Sequence, residues 1–313
     1  MKYHTYTRQT PLVSEIGMGT WQLGTSSDWK AMTEKAAIDM VHQALASGVN
    51  FFDTAPNYGN GTSELRLGKA LKGFDRSKIV VNTKFGHTDY GGTNYNSDYI
   101  RASLEGSLKR LQLDYVDSFI FHNPPYEYLD GHHNDHYEIL EKLKDEGKLK
   151  AYGASLDTYK EMKLFMETTN GEVIEAFFNI LHQDTARAFD LALKTGVGII
   201  VKIPLDSGWL SGKYDADSTF HDIRERWSRD DIQTRAVLIN SIKRLIGKEH
   251  NLAQTALSFC LAYDAVATVI PGNATMAQLK RNLESTTKPI SKELLKKLEE
   301  FYQYEVKELK LPW

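Results

Sequence analysis

The chain has 313 residues, 41% of them hydrophobic and 25% charged, with a formal net charge of −3. This is the balance of an ordinary globular protein long enough for one large barrel or two average domains, and it lacks the basic excess expected of a nucleic-acid or anionic-membrane binder. A single cysteine, Cys260, excludes an internal disulfide; with the polar opening MKYHTYTRQT and no apolar run near the ~18–20 residues of a membrane span, a cytoplasmic protein is expected.

In chain order, residues 1–14 are expected to form a short hairpin closing one end of the fold. The first strand is IGMGT (16–20), followed by an amphipathic helix over 32–47 with Ile38, Val41 and Leu45 at helical spacing. NFFD (50–53) is a second strand, and APNYGNG after it is a loop. IVVNTKF (79–85) is the third strand, and a helix over 99–111 carries Ile100, Leu104, Leu108 and Leu111. VDSFIF (116–121) is the fourth strand. Asn134 is the expected N-cap of a helix over 136–146. AYGAS (151–155), IEAFF (174–178), GIIVKI (198–203) and ATVIP (267–271) complete eight strands, with a helix over 276–284 after the last.

Short, continuously apolar strands alternating with helices predict a parallel sheet covered on both faces. Eight such units in one chain of this length predict a single (β/α)8 TIM-barrel domain over 1–313, with the N-terminal hairpin and an extra C-terminal helix over 290–313. The competing open, doubly wound sheet usually carries G-x-G-x-x-G after its first strand; here GMGTWQ places Gln22 at the third glycine. Two long connections, 86–97 and 204–230, leave the C-terminal ends of strands, the face where barrel active sites lie.

Four polar residues share that face. Asp53 ends the second strand, Tyr58 lies in the loop above it, Lys84 ends the third strand and His122 follows the fourth. A phenol is a poor acid at neutral pH, and a buried ammonium beside it is expected to lower its pKa. A carboxylate pairs the ammonium, and an imidazole supplies a further hydrogen bond to a bound oxygen. Such a group can protonate an alkoxide forming from a carbonyl. No activated serine or cysteine is present to support acyl transfer.

GVNFFDTAPNYGNGTSELRLGKAL, with EIGMGTWQLG, VVNTKFG, DYVDSFIFHNP, LKDEGKLKAYGAS, IPLDSGWLSGKY and VIPGNATMAQLKRNL, resembles the aldo-keto reductase superfamily across essentially the whole chain. The resemblance implies a metal-free oxidoreductase that reduces aldehydes or ketones with NADPH or NADH. Tyr58 is then the general acid, Asp53 and Lys84 its tuning pair and His122 the orienting donor. It also implies nicotinamide contacts from Ser155, Glu175 and Lys202. Pyrophosphate contacts are implied from Leu205, Ser207, Leu210 and Lys213, and adenosine contacts from Gly272, Asn273, Thr275, Gln278 and Asn282. Three positions depart from the family pattern: Leu156 follows Ser155 where asparagine is usual, Glu175 stands in place of glutamine, and Lys202 in place of a stacking tyrosine. NADPH is favoured over NADH on the habit of the family, although GNATMAQLKRN lacks the basic residue near its start that phosphate-binding members often carry; Lys280 and Arg281 are nearby on the helix. Of the aromatics near the strand ends, Trp21 and Phe85 are expected to line a substrate pocket. The expected partner is a small carbonyl or alcohol, with neither nucleic acid nor membrane and a monomer as default. The alternative is a cofactor-binding regulatory or redox-sensing subunit on the same fold. GHHNDH (131–136) spaces His132 and His136 like a helical metal pair, but His132 should precede the helix, and no metal site is assigned.

Overall fold

The eight apolar runs become eight parallel strands in a computed structural model that describes residues 1–24, 28–287 and 289–312. The hairpin pairs β1 (Tyr3–His4) with β2 (Val13–Ser14) in antiparallel fashion. The barrel strands are β3 (Met18–Gly19), β4 (Phe51–Asp53), β5 (Val80–Phe85), β6 (Val116–Phe121), β7 (Leu149–Leu156), β8 (Val173–Phe177), β9 (Gly198–Lys202) and β10 (Val266–Val269). Each pairs with its sequence neighbour, and parallel bridges Ile16–Val269 and Gly19–Gly272 close the ring. β3 is shorter than the expected 16–20. A side chain at Gly17 would come within 2.8 Å of the Phe51 ring and 2.9 Å of the Thr268 hydroxyl, so only glycine lets the seam close this tightly.

Helices α1 (Glu34–Ala46), α2 (Thr62–Leu71), α3 (Ile100–Leu111), α4 (His136–Asp145), α5 (Tyr159–Thr168) and α6 (Phe189–Thr195) follow β3 to β8 in turn. The β9 connection carries α7 (Arg229–Ile246) before α8 (Leu252–Cys260); α9 (Met276–Glu284) follows β10, and α10 (Lys292–Phe301) is the extra C-terminal helix. Thr33 starts α1 by accepting a hydrogen bond from the Ala36 amide. The N-cap position of α4 is Asp135, not Asn134, whose amide is spent on the carbonyls of Glu127 and Asp130 at 2.8 and 2.7 Å. His136 is buried with Nε2 2.6 Å from the Tyr95 carbonyl oxygen, while His132 lies before the helix and is exposed.

The period of two along each strand sorts side chains into two cores. Phe52, Val81, Phe119 and Ile174 point outward under the helices, whereas Phe51, Val80, Ile120, Ala151, Val173, Ile200 and Ala267 fill the barrel interior. Tyr6, from the hairpin, belongs to this inner cluster and plugs the barrel floor, its ring edge-on to Phe51 at 5.2 Å. The Tyr6 hydroxyl bonds the Ser118 hydroxyl at 2.7 Å, Ser118 donates to Asn82 Oδ1 at 2.6 Å, and Asn82 Nδ2 donates to Asp53 at 2.7 Å. A hydrogen-bonded line thus climbs the barrel axis from its floor to its top. Tyr6→Phe removes one buried hydrogen bond from it, and urea unfolding should show a loss of about 1 kcal/mol.

A buried ion pair fixes the outer wall beside this line. Glu64 of α2 accepts from the Thr83 hydroxyl at 2.7 Å and from Arg110 Nε of α3 at 2.6 Å. Arg110 also reaches Asp89 at 2.6 Å, tethering the long loop after β5.

Candidate active site

Asp53, Lys84, Ser155, Glu175 and Lys202 occupy alternate, inward-facing positions at the C-terminal ends of their strands, and His122 follows β6 directly. Asp53 and Lys84 converge because β4 and β5 are adjacent, with Asp53 in register with Asn82. Lys84 Nζ donates to Asp53 Oδ1 at 2.6 Å, to the Thr54 carbonyl at 3.1 Å and to the Tyr58 hydroxyl at 3.4 Å. Tyr58 sits where the chain reverses: Gly59, Asn60 and Gly61 all take positive φ, at 60°, 52° and 81°. This is why the loop reads YGNG, since glycine and asparagine tolerate the left-handed region. Trp21 stacks on the Tyr58 ring at 5.6 Å and His122 meets it edge-on at 5.9 Å.

Burial dominates the electrostatics. Tyr58 is 9% exposed. Its pKa is raised chiefly by burial; Lys84 pulls it down, but Asp53 and Glu175 add to the rise. The expectation that Lys84 would lower it overall is corrected, because desolvation of the phenolate outweighs one ammonium that two carboxylates already counter. The resting phenol therefore keeps its proton. Burial also opposes the Lys84 charge, but Asp53, Glu175 and Tyr58 hold its pKa above the ordinary lysine value. Burial, with Lys84, His87 and Lys202 nearby, holds His122 well below the usual histidine range, so its imidazole is neutral. Its Nδ1 is enclosed and has no hydrogen-bond partner.

Over residues 15–303 the sequence matches a profile described as the aldo/keto reductase family. The chain belongs to that family. Among its relatives, L-galactose dehydrogenase of Arabidopsis thaliana is 30% identical over 283 residues, covering 88% of this chain and 85% of that protein. The NADH-specific methylglyoxal reductase of Escherichia coli K12 is 30% identical over 224 residues, 66% of this chain and 68% of that one. A probable voltage-gated potassium channel subunit beta of Oryza sativa is 29% identical over 313 residues, 91% of each chain. The holo form of aldo-keto reductase AKR11C1 from Bacillus halodurans superposes over 100% of both chains, with a TM-score of 0.82 and 27% identity.

The three departures from the family pattern point three ways. Glu175 turns toward Lys84, its Oε2 3.3 Å from Lys84 Nζ and 3.4 Å from Asn82 Nδ2. Lys202 Nζ is drawn the other way, to Asn123 Oδ1 at 2.6 Å, Ser155 Oγ at 2.8 Å and Asp157 at 2.7 Å. Leu156 points outward into the helix layer. Asn123, held at φ 49° after His122 and accepting from Ser155 Oγ at 2.9 Å, supplies a carboxamide beside Ser155 that the sequence reading missed. Its signal was an asparagine between the histidine and two prolines, a site where a left-handed residue is tolerated.

The remaining expected cofactor positions follow the barrel rim. Leu205 and Ser207 lie in a run where Ile203, Asp206, Ser207 and Gly208 have φ of 54°, 46°, 50° and 101°. Leu210 is fully buried, and the exposed Lys213 places Nζ 5.5 Å from the Tyr214 ring centroid. Gly272 and Thr275 are exposed, and Thr275 caps α9 by accepting from the Gln278 amide. Gln278 accepts from the Ala274 amide at 2.7 Å, and Asn282 donates to Asn273 at 2.8 Å, so these side chains brace the loop. A polar cluster of Ser155, Asn123 and Lys202 at one end and a capped helix N-terminus at the other fit the amide and phosphate groups of a dinucleotide. A cavity of about 300 Å³ adjoins this rim, lined by Asp157, Phe177, His182, Asp184, Tyr302 and Leu311.

Trp21 and Phe85 separate. Trp21 stands beside Tyr58, but Phe85 is 0% exposed and packs on Phe119 and Phe121 at 5.0 and 4.3 Å. With Lys84 facing inward, the strand's period of two turns Phe85 into the helix layer, which corrects its placement in a substrate pocket. Trp21→Ala should raise KM for aromatic carbonyls about 10-fold, the order of one aromatic stacking contact. Phe85→Ala should leave KM unchanged and cost about 3–5 kcal/mol in denaturant unfolding.

Proposed function

We propose that this chain is an NAD(P)H-dependent oxidoreductase that reversibly reduces an aldehyde or ketone to an alcohol, with Tyr58 as general acid. The observation that carries the reading is the buried Lys84 ammonium, 2.6 Å from Asp53 and 3.4 Å from the Tyr58 hydroxyl. The nicotinamide, when bound, supplies the hydride to the carbonyl carbon. His122, neutral, donates a hydrogen bond to the carbonyl oxygen and orients it toward Tyr58. As negative charge builds on that oxygen, the Tyr58 hydroxyl releases its proton to it, and Lys84 stabilises the phenolate left behind. Asp53 balances Lys84 so that the ammonium can remain in a water-poor site. Ser155, Asn123 and Lys202 would hold the carboxamide end, and the N-terminus of α9 the phosphate end.

NADPH is the proposed preference, supported by the exposed Lys280 and Arg281 on α9, which supply charge for a 2′-phosphate. The relative named as NADH-specific favours the opposite choice. The likeness to a channel subunit favours the regulatory alternative, and the complete Asp53, Tyr58, Lys84 and His122 set favours the enzyme. The deciding experiment follows reduced-nicotinamide absorbance with a panel of aliphatic, aromatic and sugar aldehydes, with NADPH and NADH in parallel. Turnover supports the reductase. Tight dinucleotide binding with no turnover of any carbonyl overturns it in favour of the regulatory subunit.

A further inference from the structure

Two carboxyl groups close on one ammonium inside the barrel. Asp53 Oδ1 lies 2.6 Å from Lys84 Nζ and 2.7 Å from Asn82 Nδ2; Glu175 Oε2 lies 3.3 and 3.4 Å from the same two donors. None of the three charged side chains is more than 3% exposed. Fully ionised, the trio leaves one net negative charge in a site buried from solvent, which is strongly disfavoured. One bound proton makes it neutral. Asp53 and Glu175 thus converge on the same two donors, and two carboxyl groups crowded together in this way are relieved when one of them keeps a proton.

We propose that Glu175 is a proton-holding positioning residue for the reduction, acting through Lys84 on Tyr58; this rests on the reductase reading above. With Glu175 protonated, Lys84 is balanced by Asp53 alone and its remaining field supports proton release from Tyr58. With Glu175 ionised, Lys84 is countered twice, and Tyr58 holds its proton more tightly.

The surroundings favour this arrangement. Around Glu175 stand Asp53 on β4, Lys84 on β5, Lys202 on β9, Tyr58 above β4 and Tyr6 on the barrel floor. Burial first, and Asp53 next, push the Glu175 carboxyl up to about 7 against the pull of Lys84 and Lys202. Lys202 is itself countered by Asp157 at 2.7 Å. The groups that decide the titration are therefore the buried trio. The Glu175 proton changes hands near neutral pH, where ordinary glutamates are long since ionised.

The experiment compares wild type with Glu175→Gln. In wild type, kcat for reduction should fall by about 10-fold to a lower plateau as pH rises through neutrality, the order of one pKa unit in the general acid, with KM for the carbonyl moving less. In the glutamine variant this limb should vanish. A second readout needs no cofactor. Infrared difference spectra of the protein alone, with labelled glutamate, should show a protonated carboxyl titrating near neutral pH in wild type and not in the variant. A third follows from linkage. The folded chain holds this proton more tightly than the unfolded chain, so the contribution of Glu175 to stability is full at low pH. It is lost as pH rises from the ordinary glutamate value to about 7. Thermal unfolding should therefore show wild type losing stability relative to the variant over that interval.

The same pH limb in both proteins, or no carboxyl titration near neutrality in wild type, overturns the proposal. Failure of the reductase reading looks different: no carbonyl turns over, yet the infrared titration persists. That result overturns the link to Tyr58 and leaves the protonated Glu175 standing.

Discussion

Tyr58→Phe should lower kcat by about 100-fold or more while leaving dinucleotide affinity within a few-fold of wild type. The phenol hydroxyl lies 3.4 Å from Lys84 Nζ, and phenylalanine keeps the ring that Trp21 stacks on at 5.6 Å. The substitution thus removes the acid and little of the packing. Because burial already holds the phenol protonated, wild-type reduction should not depend on a resting phenolate. A variant that retained most of its kcat would require another proton donor. His122, held neutral by burial and by the cations around it, is a poor candidate. Steady-state kinetics across several carbonyls, with fluorescence titration of the dinucleotide, separates the two parameters.

Lys84→Met should be the most damaging single change to fold and chemistry together. It leaves Asp53 and Glu175 facing each other in a core where both are 3% exposed or less. Breaking a buried ion pair from one side typically costs about 3–5 kcal/mol. The sign of the pH dependence distinguishes this from lost packing. The two carboxyls can escape repulsion only by taking up protons, so the deficit should shrink from pH 8 to pH 5. A cavity alone would give a deficit independent of pH. Denaturant unfolding at the two pH values measures the difference, and activity should fall at least as far as in Tyr58→Phe, because the phenolate loses its counter-charge.

The convergence of Asp53, Tyr58, Lys84 and His122 was legible because it needs only two facts, the order of strands and the end from which a barrel works. Asp53, Lys84 and His122 come from three consecutive strand ends, and consecutive strands are neighbours here. Phe85 shows information present and unused, since an inward Lys84 already fixes the next side chain outward. Glu175 and Lys202 show what a sequence does not display. Both were expected at the nicotinamide; the Glu175 side chain turns to Lys84, and the Lys202 ammonium is shared among Asp157, Ser155 and Asn123. Those choices depend on distances across the barrel, between strands far apart in the chain. The direction of the Tyr58 shift was missed because it is a contest of magnitudes. Lys84 acts as expected in sign, but depth of burial decides the total.

The hairpin gives the barrel a sealed floor. Tyr6 is 1% exposed, closes the inner cluster from below and begins the line that runs through Ser118 and Asn82 to Asp53. The low permittivity that holds protons on Tyr58 and Glu175 is therefore maintained in part by residues at the far end of the molecule. A leak there, from trimming the first strand or from a bulky fusion ahead of it, would admit solvent along the axis. Both protons would loosen while every residue at the rim stayed in place. Such a protein would keep its circular dichroism and lose the tuning of its acid, so the terminus chosen for an affinity tag becomes a chemical variable.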